Sequence, residues 1–184
     1  LERRIERLQS QLRDRQEKLN RQSHQRWNDF LCLVNLLQRF EALDDLAPTI
    51  LGKTAAIMRG ENELWLALAL RSGGFEDLAP HHLAAACAAL VSENNRPDSW
   101  TRYPISPSVQ TILESLKPLR RHLIQAQHRE DVMMPVWLET ELVGLIEQWA
   151  LGTGWTDLCA NTSLDEGDIV RLLRRTVDVL SQIP

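Results

Sequence analysis

Three arginines near the C-terminus, Arg171, Arg174 and Arg175, stand at i, i+3 and i+4, a spacing that groups them on one side of a helix. Lys117, Arg120, Arg121, His122, His128 and Arg129 put cations on more than one face of another helix, with Gln125 and Gln127 among them. Such a helix can lie along a phosphate backbone and donate hydrogen bonds to it. The competing reading is a solvated face balanced by Glu114, Glu130 and Asp131. Trp100 and Tyr103 flank Arg102 in a polar loop, an arrangement that can stack an unpaired base or fold back onto its own domain. Trp65, Trp137 and Trp149 fall in helical patterns and read as core.

Catalysis needs converging groups, and these are missing. The chain lacks G-x-x-x-x-G-K-[ST], G-x-G-x-x-G, G-x-S-x-G and H-E-x-x-H, so no catalytic residue is assigned. His81 and His82, followed by Cys87, suggest ligands, but adjacent helical histidines are expected to diverge, so no metal site is expected. Cys32, Cys87 and Cys159 are widely spaced, without a C-x-x-C pair. They read as small apolar core residues in a reducing compartment, not as a disulfide framework.

The elements that must position these residues are helical. With 184 residues, 43% hydrophobic and 25% charged, one core of ordinary composition is expected. A net charge of −4 leaves any nucleic-acid case to local patches. No apolar run reaches the roughly 18–20 residues a membrane span needs. The chain opens on Leu1-Glu2-Arg3-Arg4, neither an initiator Met nor a signal peptide, and reads as part of something longer.

Leu1, Ile5, Leu8, Leu12 and Leu19 form a narrow a/d seam, so residues 1–22 read as a stalk or coiled-coil helix. Trp27, Phe30, Leu31, Val34, Leu37 and Phe40 make the wider face of a core helix. Pro48 and Gly52 punctuate a stretch able to hold a small β wing, the one β-structure expected, leading into a helix at 53–58. Helices follow over Glu61–Arg71, stopped by Gly73-Gly74, over Pro80–Glu93, and over 107–129 with a kink or break near Pro118. Pro135 opens a helix to Leu151; Trp155–Ala160 is a short one. Ser163 and Glu166 form a capping box for a last helix reaching Gln182.

The stretch Trp149 to Arg175 resembles the closing signature of the DSHCT domain, which ends the superkiller-type DExH-box RNA helicases. Trp149, Gly152, Thr162, Glu166, Gly167, Arg171 and Arg175 match it. Leu51–Leu64 resembles the family's entry segment, and Phe75–Pro80 and Lys117–Arg120 also correspond. Leu64–Leu70 and His81–Cys87 are similar to cyanobacterial and plastid members. The resemblance implies a mainly α fold: a long N-terminal stalk helix (1–22), part of a winged-helix domain (23–57) and a DSHCT-like helical bundle (58–184). It implies a module that guides single-stranded RNA leaving RecA-like motor domains of the same chain, with a link to RNA-degradation machinery. Arg175 and Glu93 fall where family members face the strand, with Arg171 and Arg174 beside them and Arg120 and Arg121 on the basic helix. ATP and Mg belong to the motor domains; this segment alone holds no cofactor and is not catalytic. The implied compartment is the cytoplasm or plastid stroma, with no membrane partner. Two other readings are a helix-turn-helix DNA reader built from Trp155–Ala160 and the last helix, and a protein-interaction module pairing through the 1–22 seam.

Overall fold

The computed structural model describes residues 2–93 and 98–183, and the side chains of these except 2–10 and 14. Leu1, Ile5 and Leu8 of the expected seam therefore lie outside the described side chains, and the first part of the 94–107 loop lies outside the described residues.

The fold is mainly α, with eight helices and one two-stranded hairpin among the described residues. Helix α1 runs without a break over Glu2–Arg39, so the expected stalk and the following apolar helix are one rod. Nothing between them breaks a helix: Asn20 to Gln25 contains neither Gly nor Pro. The apolar face is only partly covered. Val34 is buried, whereas Leu12, Leu19, Trp27, Phe30 and Leu31 are exposed.

The hairpin lies earlier than the Pro48–Gly52 punctuation suggests. Strands β1 (Leu43–Asp44) and β2 (Ala47–Pro48) pair antiparallel, and Asp45 takes the positive φ of the tight turn. Helix α2 starts at Ile50, capped by Thr49, whose hydroxyl accepts from the Gly52 amide at 3.3 Å.

Helix α3 (Glu63–Arg71) is capped by Asn62 and ends at Ser72, before Gly73 and Gly74 at φ 91° and 86°. Helix α4 (Pro80–Val91) carries its run of small residues, Ala84 to Ala89, into the centre of the molecule. Small side chains permit close approach, and α4 is the hub against which α5, α6 and α8 all pack.

Helix α5 (Pro107–Arg129) contradicts the expected break, since it stays helical through Pro118. Pro118 and Glu114 are both exposed, so the carbonyl deprived of its amide faces water, where the loss is cheapest.

The expected Pro135–Leu151 helix begins only at α6 (Val143–Ala150); residues 132–140 instead form an extended strap. Successive strap carbonyls are taken by side chains from other elements. Met134 accepts from Gln127 Nε2 at 2.7 Å, Pro135 from Asn62 Nδ2 at 3.0 Å, Val136 from Arg120 Nε at 2.7 Å and Trp137 from Trp65 Nε1 at 2.7 Å. Four good donors outside the segment replace the bonds a helix would have supplied.

Helix α7 (Trp155–Ala160) is as expected, and α8 covers Glu166–Leu180, short of Gln182. Its cap is Asp165, which accepts from the Asp168 amide at 2.9 Å, so the Ser163–Glu166 capping box does not form. Ser163 is engaged elsewhere, its hydroxyl accepting from the Trp100 amide at 2.9 Å.

Candidate nucleic-acid interface

Helix α8 turns Ile169, Leu172, Thr176 and Val179 into the core, which leaves Arg171 and Arg174 on its outer side. Beside it runs a groove of about 170 Å³, bordered by the end of α4, the last strap residues and α8. Glu93, Glu139, Glu141 and Asp168 contribute carboxylates to the groove, against the guanidinium groups of Arg171 and Arg175. Leu142, Leu164 and Leu172 supply its apolar wall. The site is therefore amphoteric rather than uniformly basic.

The three arginines differ in freedom. Arg171 is 65% exposed and pairs with Asp168 one turn away at 3.1 Å. Arg174 is exposed, with no ion pair among the described residues. Arg175 is 37% exposed and bridges two elements: Nη2 lies 3.5 Å from Glu61 and Nη1 lies 3.7 Å from Glu93. Nη1 also donates to the Val91 carbonyl at 3.4 Å. Those separations exceed the roughly 2.7–2.9 Å of a tight charge-assisted bond, and partly exposed pairs of this kind contribute about 0.2–1 kcal/mol each. A phosphate can compete at that level.

The structure thus brings Arg171, Arg175 and Glu93 to one groove, whereas Arg174 is exposed on α8 and does not line it. It does not bring Arg120 and Arg121 there. Arg120 reaches under the strap to Val136 and lines a separate cavity with His128 and Met133. Arg121 is exposed on α5. Of the rest of the expected basic helix, Lys117 pairs with Glu114 at 2.5 Å and His122 packs edge-on against Phe40 at 5.2 Å, whereas His128 and Arg129 are exposed. Glu130, one of the acids expected to balance them, pairs with Arg39 at 3.7 Å.

The Trp100–Tyr103 loop is anchored rather than loose. Thr101 bridges to Thr162, the Tyr103 hydroxyl donates to the Asp157 carbonyl at 3.1 Å, and Arg102 sits 5.9 Å from the Trp100 ring centroid. Gly144 makes this seating feasible, because a Cβ there would lie 2.1 Å from the Tyr103 carbonyl oxygen. Trp100 keeps an exposed face for stacking. Of the core tryptophans, Trp65 is fully buried, whereas Trp137 and Trp149 are half-buried. Cys87 is buried, which pushes its thiol up to about 12, while Cys32 and Cys159 are only half-buried.

Glu61 escaped sequence reasoning. It holds Arg175 and accepts from Trp137 Nε1 at 3.0 Å, so it ties α8 to the strap. Its one local signal is an acid directly before the α3 cap. Glu139 and Glu141 escaped as well, because the segment that carries them, the end of the strap and the turn before α6, read as helix.

The DSHCT (NUC185) domain model matches residues 45–184. The chain belongs to the DSHCT family. This DSHCT chain is 42% identical over 164 residues to the chloroplastic DExH-box ATP-dependent RNA helicase DExH15 of Arabidopsis thaliana, covering 86% of the chain and 14% of that protein. It is 26% identical over 181 residues to DExH-box ATP-dependent RNA helicase DExH11 of the same plant, covering 95% of the chain and 13% of the relative. Against the exosome RNA helicase MTR4 of Mus musculus it is 23% identical over 137 residues, covering 72% of the chain and 13% of that helicase. The DSHCT chain therefore spans about a seventh of the length of these relatives. No described helix is long and apolar enough to cross a membrane.

Proposed function

We propose that this DSHCT chain is the C-terminal RNA-channel module of an ATP-dependent DExH-box RNA helicase, guiding single-stranded RNA that leaves a RecA-like motor. The observation that carries this reading is the groove beside α8, where Arg171 and Arg175 share an apolar wall with four carboxylates. Arg171, Arg174 and Arg175 take successive phosphates along α8. Glu93, Glu139 and Glu141 accept from the amino edges of unstacked bases, as carboxylates do from cytosine N4. Trp100, cradled by Arg102, offers a stacking face on the loop that borders the same region. Arg120 and Arg121 face other surfaces and play a secondary part.

Motor domains elsewhere in the parent chain bind ATP and Mg and supply the work; this segment supplies the path. Residues 23–57 belong to a winged-helix domain, which is supported by the uncovered Trp27, Phe30 and Leu31 on α1. A mouse relative named an exosome RNA helicase supports a link to RNA-degradation machinery, and a relative named chloroplastic supports a plastid setting over the cytoplasm. The helix-turn-helix DNA reading is disfavoured by Glu166 and Asp168 in the first turn of α8, which would meet phosphates first.

The test is charge reversal of Arg171, Arg174 and Arg175 to Glu in the helicase that carries this domain. RNA affinity should fall at least tenfold, its salt dependence should flatten by about three contacts' worth at roughly 0.7 per phosphate on single strands, and unwinding should slow. Unchanged affinity and unwinding would refute the proposal.

A further inference from the structure

At the opposite end of α4 from Glu93, His81 and His82 do not diverge as adjacent helical residues are expected to. Their ring centroids lie 4.1 Å apart, and both face Glu147 of α6. One ligand atom from each of the three lies within 4.8 Å of the other two. We propose that His81, His82 and Glu147 bind a zinc-class divalent transition-metal ion that clamps the start of α4 to α6.

Three features support the site. His82 Nε2 and Glu147 Oε1 are 3.5 Å apart, too long for a good hydrogen bond. That spacing suits two ligands on one tetrahedral ion, whose edge is about 3.3 Å for bonds of roughly 2.0–2.1 Å. Second, the Glu147 side chain is only 9% exposed, and its Oε2 is buried without a hydrogen-bond partner among the described residues. An unpaired buried carboxylate oxygen is costly, and a cation beside it removes the cost. Third, the donors are rigidly presented: α4 and α6 pack closely against one another through Ala84, Ala88 and Ile146. Two imidazoles and one carboxylate match the donor preferences of zinc, and His81 and His82 are half-buried rather than sealed, so an ion has a way in. Three protein ligands leave a fourth position to water. Since α4 rises about 1.5 Å per residue, the site sits roughly 16 Å from Glu93, and it stands independently of the RNA reading.

The experiment uses the 184-residue chain after treatment with a chelator. Zinc sulfate is titrated calorimetrically, and cobalt chloride is followed by visible absorption. The proposal expects one zinc per chain, a rise in melting temperature with zinc, and the intense visible bands of four-coordinate cobalt without a thiolate charge-transfer band. Glu147→Gln and His81→Ala should each weaken zinc binding at least about tenfold, since even outer-shell partners of metal ligands are worth that much, and should abolish the thermal shift. Circular dichroism checks the fold of both. If Glu147→Gln fails to fold, His81→Ala at the half-buried position decides alone. Absence of stoichiometric binding, equal binding by the variants, or a thiolate band pointing to Cys32 or Cys159 would overturn the assignment.

Discussion

Asn62 joins three parts of the fold, and its loss should be felt in all of them. Oδ1 caps α3 by accepting from the Trp65 amide at 3.0 Å, while Nδ2 donates to Gln127 Oε1 at 3.1 Å and to the Pro135 carbonyl at 3.0 Å. Asn62 and Gln127 are both buried. In Asn62→Ala the lost cap costs about 1 kcal/mol. Two acceptors are left unpaired, at about 1–3 kcal/mol each when fully dry. A cavity of about 200 Å³ borders Asn62, so water recovers part of that penalty. The expected loss is therefore about 3 kcal/mol, or roughly 6–12 °C in melting temperature for a chain of this size. Asn62→Asp separates the two roles: it keeps the cap acceptor but turns an ionised oxygen toward two other acceptors, and should be at least as damaging. Urea denaturation followed by circular dichroism at 222 nm (about the helix minimum) measures both, with an unchanged m-value expected. A loss below about 1 kcal/mol in Asn62→Ala would refute the idea that these side-chain bonds hold the strap in place.

Other consequences are simpler. Gly144→Ala would gain about 0.8–1 kcal/mol of helix propensity, but its Cβ would collide with the backbone of Tyr103 and Pro104. Net destabilisation with increased proteolysis of the Trp100–Tyr103 loop is expected, and a more stable protein would contradict the close approach. Cys87, its thiol raised by burial to about 12, should resist iodoacetamide at pH 8 in the native protein while half-buried Cys32 reacts, as peptide mass mapping would reveal. Because that pKa is raised, the stabilisation from keeping Cys87 neutral is complete below its ordinary value of 9.0 and is lost as pH climbs from there toward about 12. Melting temperatures should thus decline above pH 9 less steeply in Cys87→Ala than in the native chain.

Local chemistry announced much of this architecture. Pro80 and Pro107 stand in the first turns of α4 and α5, and Gly73-Gly74 follow the end of α3, as their backbone preferences dictate. The amphipathic pattern of α8 reads Ile169, Val170, Leu172, Leu173, Val177 and Leu180 as its core-facing set; Ile169 and Leu172 are buried, whereas Val170 and Val177 are exposed. The strap was illegible because its hydrophobic residues suit a helix equally well. What holds it extended is donors from Asn62, Trp65, Arg120 and Gln127, distant in sequence. The α8 cap was misplaced for a related reason, since Ser163 and Asp165 are both good caps and only the Trp100 loop decides between them. Arg171 and Arg175 could be grouped from spacing alone, whereas the carboxylates opposite them come from just before α3 (Glu61), just after α4 (Glu93) and the segment 139–141. The convergence of His81 with His82 depends on Glu147 across the α4–α6 contact, a tertiary fact with no local trace.

Photocrosslinking reports directly where RNA lies on this domain. A 4-thiouridine oligonucleotide bound to the helicase carrying this domain should crosslink to peptides containing Ser99–Arg102, Glu139–Leu142 and Leu164–Arg175. Crosslinks confined to α5 around Arg121 and Arg129, or missing from this domain altogether, would contradict the account.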